Sequence, residues 1–379
     1  MKVFQCIHKY LPHISRFEEK YRVSDDMDFT TLQRLVIEDG YASTYILQPA
    51  LEGNTEEVFF TLWDYERLQL LWAKENNLKS TDLDEIKLAQ IEKYKPDVFY
   101  NMSAVYDNEF INKLGKNKSG FKRVYWNGII AKEPKPILNY DGHISLHRPF
   151  VEFWKKSGLA ACELQPGIPD GWKNMGCSER NTDVLFYGQY AKEYFGSRAE
   201  TIDRLIRYKV ETGFDVRCHL QYIETRAAIF KQGIPLVRRR YPGLTIQLPI
   251  VTFPNKLIRK HANPPLYGDD LYQAIGRAKI VVNGFTDFNG GYKSNMRLFE
   301  AIGLGAFLIT EEGIYPDGFE PGVDFYTYSN PDNLIDQIKR VLEDWPSHAA
   351  MASRTRQKIA NLYSKHRQWH EFQQFIGSL

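Results

Sequence analysis

NGGYKSNMRLFEAIGLGAFLITEEG, residues Asn289 to Gly313, is the stretch whose reading decides the fold. Glycines open it, a short apolar-periodic segment follows from Asn295, Gly303 and Gly305 stop that segment, and AFLIT has the length and apolarity of a buried strand. That is one loop-helix-strand unit of an α/β sheet. A helix entered through Gly290, Gly291, Ser294 and Asn295 presents unpaired backbone N–H groups and the positive end of its dipole to the space before it. Lys293 and Arg297 add full charges there, so a phosphate is the natural guest. Glu300, one turn into the helix, is placed to meet a ribose or sugar hydroxyl. The stretch reads as half of a nucleotide-sugar site.

Working outward, the same alternation fills the chain. Upstream, VFQCI, STYIL, EEVFFTLW, KPDVFYNMS, KRVYW, GHISL and AACEL read as strands. Between them lie amphipathic helical patterns such as DYERLQLLWAKENN, LDEIKLAQIEKY and RPFVEFWKKSG, and a helix near Asn108 to Leu114. The segment from Gln165 to Asn181, rich in Pro, Gly and polar residues, breaks the period and reads as a domain boundary. Beyond it the alternation restarts at DVLFYG and FDVRC, with helices over AETIDRLIRYKVETG, IETRAAIFKQG and GDDLYQAIGRA and strands over GLTIQL, AKIVVNG and DFYTY. NLIDQIKRVLED, capped by Asn330-Pro331, SHAAMASRTRQKIANLYSKH and RQWHEFQQFIG complete the chain as helices. The expected fold class is α/β, with two Rossmann-like, doubly wound domains facing across a cleft. The expected boundaries are 1–165 for the acceptor-side domain, 166–181 for the linker, 182–358 for the donor domain and 359–379 for a terminal helix.

Bulk properties narrow the function. The 379 residues suffice for two ordinary cores. A net charge of +2 points away from bulk nucleic-acid binding. Cys6, Cys162, Cys177 and Cys218 form no CxxC or Cys/His cluster, which argues for reduced thiols in the cytoplasm. No window approaches the length of a membrane span, so any membrane contact is expected to be peripheral. Arg238-Arg239-Arg240 and Arg259-Lys260-His261 suit either an anionic membrane surface or a solvated face.

Two D-x-D triplets, Asp26-Met27-Asp28 and Asp82-Leu83-Asp84, match a pattern by which some sugar transferases hold a metal. Each precedes a helix, where N-capping is a sufficient explanation, and no metal or other cofactor is expected. Gly188, after a strand, lets backbone approach a ligand, and Arg198 or Lys293 offers charge to a leaving diphosphate. In the first domain Tyr10, Asn101, Asn127 and His147 follow strands and are acceptor-side candidates. If the reaction inverts the sugar it needs a base. His8 is the first choice, with His147 and Asp26 behind it; a histidine at such a place is also commonly structural.

KSNMRLFEAIGLGAFLITEEG followed by FEPGVDFYTYSNPDNLIDQIKRVLED resembles the second domain of the group 1 glycosyltransferases of the GT-B fold. Within them it is most similar to the CgeB-like, spore-maturation branch, over about Gly268 to Asp344. The resemblance implies a hexosyltransferase-like enzyme of cell-surface polysaccharide synthesis, acting on a glycan, lipid-linked or protein acceptor. It also implies Glu300 on the donor ribose, backbone at Ser294, Asn295 and Met296 on the diphosphate, and a last helix that crosses back to the first domain. Many relatives carry a second glutamate, used on the donor sugar, where this chain has Tyr292. Two other readings stay open: a GT-B sugar-nucleotide epimerase or phosphorylase, and a non-catalytic carbohydrate-binding or coat-assembly protein.

Overall fold

The structure, a computed structural model, describes residues 1–103, 108–114, 121–128, 139–175, 179–192, 195–222, 254–285 and 291–379. IETRAAIFKQG, GLTIQL, Arg238 to Arg240, Cys177, Asn289 and Gly290 lie outside the described residues.

Six strands build the first sheet: β1 (Val3–Ile7), β2 (Val58–Leu62), β3 (Val98–Asn101), β4 (Lys122–Asn127), β5 (Gly142–Ser145) and β6 (Ala161–Glu163). Their order is β2-β1-β3-β4-β5-β6 and every pairing is parallel. Both faces are covered by helices, α1 (Leu11–Tyr21), α2 (Phe29–Glu38), α3 (Gln48–Leu51), α4 (Glu66–Glu75), α5 (Leu83–Tyr94), α6 (Asn108–Lys113) and α7 (Arg148–Lys156). Strands enclosed on both sides read as near-continuous apolar runs, which is why β1 reads VFQCI, apolar but for Gln5, rather than alternating. Asp28 accepts the Thr31 N–H, and Asp82 the Asp84 and Glu85 N–H groups, as helix N-caps.

A second sheet follows from β7 (Thr182–Gln189), β8 (Val216–Gln221), β9 (Ala278–Asn283), β10 (Phe307–Glu311) and β11 (Tyr326–Tyr328). It is parallel, in the order β11-β10-β9-β7-β8. Its helices are α8 (Gly196–Thr212), α9 (Lys256–His261), α10 (Gly268–Arg277), α11 (Met296–Gly303), α12 (Pro331–Glu343) and α13 (Trp345–Leu362). α14 (Lys365–Gly377) ends the chain and returns to the first sheet, where Trp369, Phe372 and Ile376 join its core. Phe372 packs on Tyr100 of β3, ring centroids 4.9 Å apart.

One strand expectation fails. Ser43 to Leu47 is a buried turn rather than a strand. Gln5 holds it: its side-chain amide donates to the Tyr45 carbonyl (3.0 Å) and accepts from the Leu47 N–H (3.0 Å). A buried polar side chain thereby satisfies backbone groups that a sheet ladder would have satisfied. α1 is an addition to the sequence reading; it starts with a proline in its first turn and has no side-chain cap.

Candidate active site

The strands of each sheet run in one direction, so the loops after their carboxyl ends gather on one side of each domain. In the second domain these are the loops after β7, β9 and β10. α11 starts among them because Asn295 accepts the Leu298 N–H at 3.2 Å as its cap. Asn295 is held by an amide pair with Asn283 at the end of β9, its Nδ2 donating to Asn283 Oδ1 at 3.1 Å. The helix closes at Gly305, where the Ala306 N–H donates to the Ala301 carbonyl.

Glu300 is buried, and its carboxylate accepts the Tyr187 hydroxyl at 2.6 Å. Burial raises its pKa, opposed by the Tyr187 hydrogen bond and by the charge of Arg297. The guanidinium of Arg297 lies 5.6 Å from the centre of the Tyr187 ring. Gly188 makes room for it: a Cβ there would stand 2.9 Å from Arg297 Nη2, and φ of 149° is unfavourable for any L side chain. Gly188, Arg297 and Glu300 therefore form one cluster around Tyr187, a residue the sequence reading passed over although it directly precedes Gly188.

A second cluster surrounds Gly284. Arg198, buried on α8, donates to the Gly284 carbonyl at 3.1 Å. Lys293 Nζ bonds Glu311 Oε2 at 2.8 Å and sits 4.9 Å from the Phe285 ring centre. Glu311 also accepts the Phe285 N–H. Two cations distant in sequence thus converge on one loop, with Glu311 as the counter-charge of Lys293.

A third cluster crosses between the domains. Tyr292 is buried, and its hydroxyl donates to Glu163 Oε1 of β6 at 2.8 Å. Ser294, also buried, donates to Gln165 Oε1 at 2.6 Å. Arg148 pairs with Glu163 at 2.8 Å and reaches Asp317 of the second domain at 3.1 Å. The backbone of the loop is fixed to the strand-end segment, Lys293 N–H to the Ile314 carbonyl and Ile314 N–H to the Gly291 carbonyl. Gly291 is exposed, and Met296 is half-buried at the first turn of α11.

The first-domain candidates are spread along the ends of the first sheet. His8 follows β1, where burial lowers its pKa against the opposing charge of Asp64. His147 caps α7 after β5; it is buried, its Nε2 lies 3.4 Å from the Gly128 carbonyl, and burial pushes its pKa down to about 4. The two histidines sit on strands three places apart, about 14 Å at ordinary strand spacing, so they cannot serve one acceptor hydroxyl together. Asn101 is buried and donates to Tyr140, while the Asn127 carbonyl accepts Ser145 Oγ at 2.7 Å. Tyr10 reaches the other domain, its hydroxyl accepting from Gln189 Nε2 at 3.0 Å. Asp26 is exposed in the turn before α2.

Residues 231–374 match the family model described as glycosyl transferase-like. No curated protein matches the sequence. Among solved structures, HepE of Anabaena in complex with UDP-glucose superposes with a TM-score of 0.54 at 11% identity, all of both chains being covered. An alpha-glucosyltransferase solved with UDP and DNA superposes with a TM-score of 0.57 at 12% identity, again over all of both chains. The chain therefore has the GT-B fold, two parallel-sheet domains of Rossmann type, and 231–374 within it carry the glycosyl transferase-like sequence pattern.

Proposed function

We propose that the protein is a glycosyltransferase that moves a sugar, most simply a hexose, from a nucleotide-diphosphate donor to a glycan, lipid-linked or protein acceptor. The observation that carries this reading is the convergence, at the strand ends of the second sheet, of a helix N-terminus, two cations and a buried glutamate. Arg198 and Lys293 would bear the diphosphate together with the backbone at Ser294, Asn295 and Met296, and Glu300 would take the ribose hydroxyls. As the glycosidic bond breaks, negative charge grows on the leaving diphosphate, and these fixed donors stabilise it without reorganisation. The same cations let the reaction proceed without a metal. Lys293 must then exchange Glu311 for phosphate, so donor binding carries a local rearrangement at Gly284 and Phe285. Family likeness further supports a place in cell-surface polysaccharide synthesis and the CgeB-like branch. It suits work in the cytoplasm at the inner membrane face; among the described residues no helix is long and apolar enough to cross a membrane.

A screen of nucleotide sugars by thermal shift tests the reading. One donor is expected to raise Tm and to be hydrolysed slowly, also in the presence of EDTA. Arg198→Ala and Lys293→Ala are each expected to weaken that donor by about 1.5–3 kcal/mol, the usual worth of a hydrogen bond to a charged group. No stabilisation by any nucleotide sugar would sink the transferase and the epimerase alike, and binding without turnover on any acceptor would favour a binding protein. For an inverting product, read by NMR of the anomeric proton, His8 is the proposed base and His147 the second choice. His147 would keep its basic form down to about pH 4.

A further inference from the structure

We propose that Gln165 is a positioning residue for the donor loop, through which the first domain and the last helix set the conformation of Tyr292 and Ser294. The proposal rests on the reading that this loop holds the nucleotide sugar, and it names the groups that make the loop competent.

Gln165 lies two residues beyond β6 and is buried where the two domains meet α14. Its side-chain oxygen accepts Ser294 Oγ at 2.6 Å. Its side-chain nitrogen donates to the Leu146 carbonyl at 2.9 Å and to Glu163 Oε1 at 2.8 Å, and lies 3.4 Å from the Tyr292 hydroxyl. Glu163 in turn accepts Tyr292 at 2.8 Å. The two loop side chains that flank Lys293 are therefore held by the last residue of β6 and the segment following it, both in the other domain.

The segment is itself held from behind. Gln368 of α14 donates to the Gln165 carbonyl at 2.9 Å and to the Thr44 carbonyl at 3.1 Å. Lys365 Nζ bonds Gln368 Oε1 at 2.9 Å and the Ile46 carbonyl at 2.8 Å. The result is a continuous line of buried hydrogen bonds from the turn at Thr44 and Ile46, through α14 and Gln165, to the donor loop. Buried polar groups of this kind cost free energy whenever a partner is lost, so the line favours one arrangement over intermediate ones. A change in the spacing of the two domains moves Glu163 and Gln165 relative to Tyr292 and Ser294, and the loop must follow or give up these bonds. Donor affinity and domain spacing are coupled through this residue.

Hydrogen exchange of the ligand-free protein, comparing wild type with Gln165→Ala and with Glu163→Gln, tests the strut. Amides from Gly291 to Leu298 are expected to exchange about tenfold faster in Gln165→Ala, the effect of losing about one net hydrogen bond, while amides of β3 and β10 keep their wild-type rates. Unchanged exchange in the loop would overturn the proposal whether or not any nucleotide sugar binds, so its failure is separable from failure of the transferase reading. With a donor in hand, Gln165→Ala is expected to raise donor KM about tenfold with kcat and acceptor KM within about twofold. A loss confined to kcat would overturn it. If Gln165→Ala folds poorly, Gln165→Met, which keeps the side-chain volume without the amide, takes its place in a cycle with Ser294→Ala and the double variant. Coupled residues give a double variant no weaker for donor than Ser294→Ala alone, and additive losses would refute the link.

Discussion

Glu300 is a carboxylate that folding keeps from water and that one phenol and one guanidinium partly compensate. Its folded pKa is raised above the ordinary 4.5, so the folded chain holds its proton more tightly than the unfolded one. Stability from this group is full below about pH 4.5 and is lost as pH rises through the folded value. Glu300→Gln cannot ionise and still accepts the Tyr187 hydroxyl. It is expected to melt at a higher temperature than wild type at neutral pH, with the gap closing in acid, while donor affinity falls. Melting curves at both ends of that range check it; a gap that ignores pH would show that the buried charge is not the cause. Tyr292 shows the complementary case. Sequence places it at a position of donor-sugar recognition by resemblance, and the structure commits its hydroxyl to Glu163 across the domain boundary. A tyrosine carries no charge to advertise such a partner, so nothing local reveals it.

At the scale of elements, most strands and helices follow directly from period and caps. α11 begins where Asn295 can cap it, α12 where Asn330 and Pro331 stand together, and α5 where Asp82 precedes its first turn. The failure at Ser43 to Leu47 has a tertiary cause, since Gln5 of a different element supplies the missing partners. α14 has a similar lesson inside it. Lys365 at its first turn is buried among carbonyl and amide oxygens, and burial lowers its pKa well below 10.5. A base depressed in the folded state contributes stability above its unfolded pKa that is lost as pH falls. Wild type is therefore expected to gain stability relative to Lys365→Met as pH rises toward the ordinary lysine value of 10.5. Equal pH profiles for the two, followed by circular dichroism, would count against a neutral buried amine.

The two domains also meet around Asp39, which lines one cavity with Tyr272 and Lys365. Asp39 of the first domain accepts His13 Nε2 at 2.8 Å with both side chains buried, and Lys20 Nζ lies 3.5 Å from Asp39 and 3.0 Å from Asp270. Tyr272 of α10 donates to the Gly40 carbonyl at 2.7 Å beside it. Asp39→Ala leaves a buried imidazole without its acceptor and is expected to cost about 1–3 kcal/mol, near 2–4 °C of Tm per kcal/mol for domains of this size. Lys20→Ala removes a partly exposed, salt-screened pair and is expected to cost under about 1 kcal/mol. Calorimetry of both variants at low and high salt separates them. Equal losses would mean that the contact is electrostatic steering rather than a buried hydrogen bond.

Sequence by itself determined the α/β class and the place of most strands and helices. Each of these rests on periods, caps and charges that act within a few residues. Tertiary structure alone decided which groups share a cluster: Tyr187 with Glu300, Arg198 with Gly284, Tyr292 with Glu163, Ser294 with Gln165. Gln165 sits beside Pro166 and Gly167 and reads locally as linker. Its partners lie 129 residues further along, for Ser294, and 203 further along, for Gln368. Hydrogen bonds are satisfied by proximity in space, and proximity across a domain boundary leaves no trace in the spacing of residues along the chain.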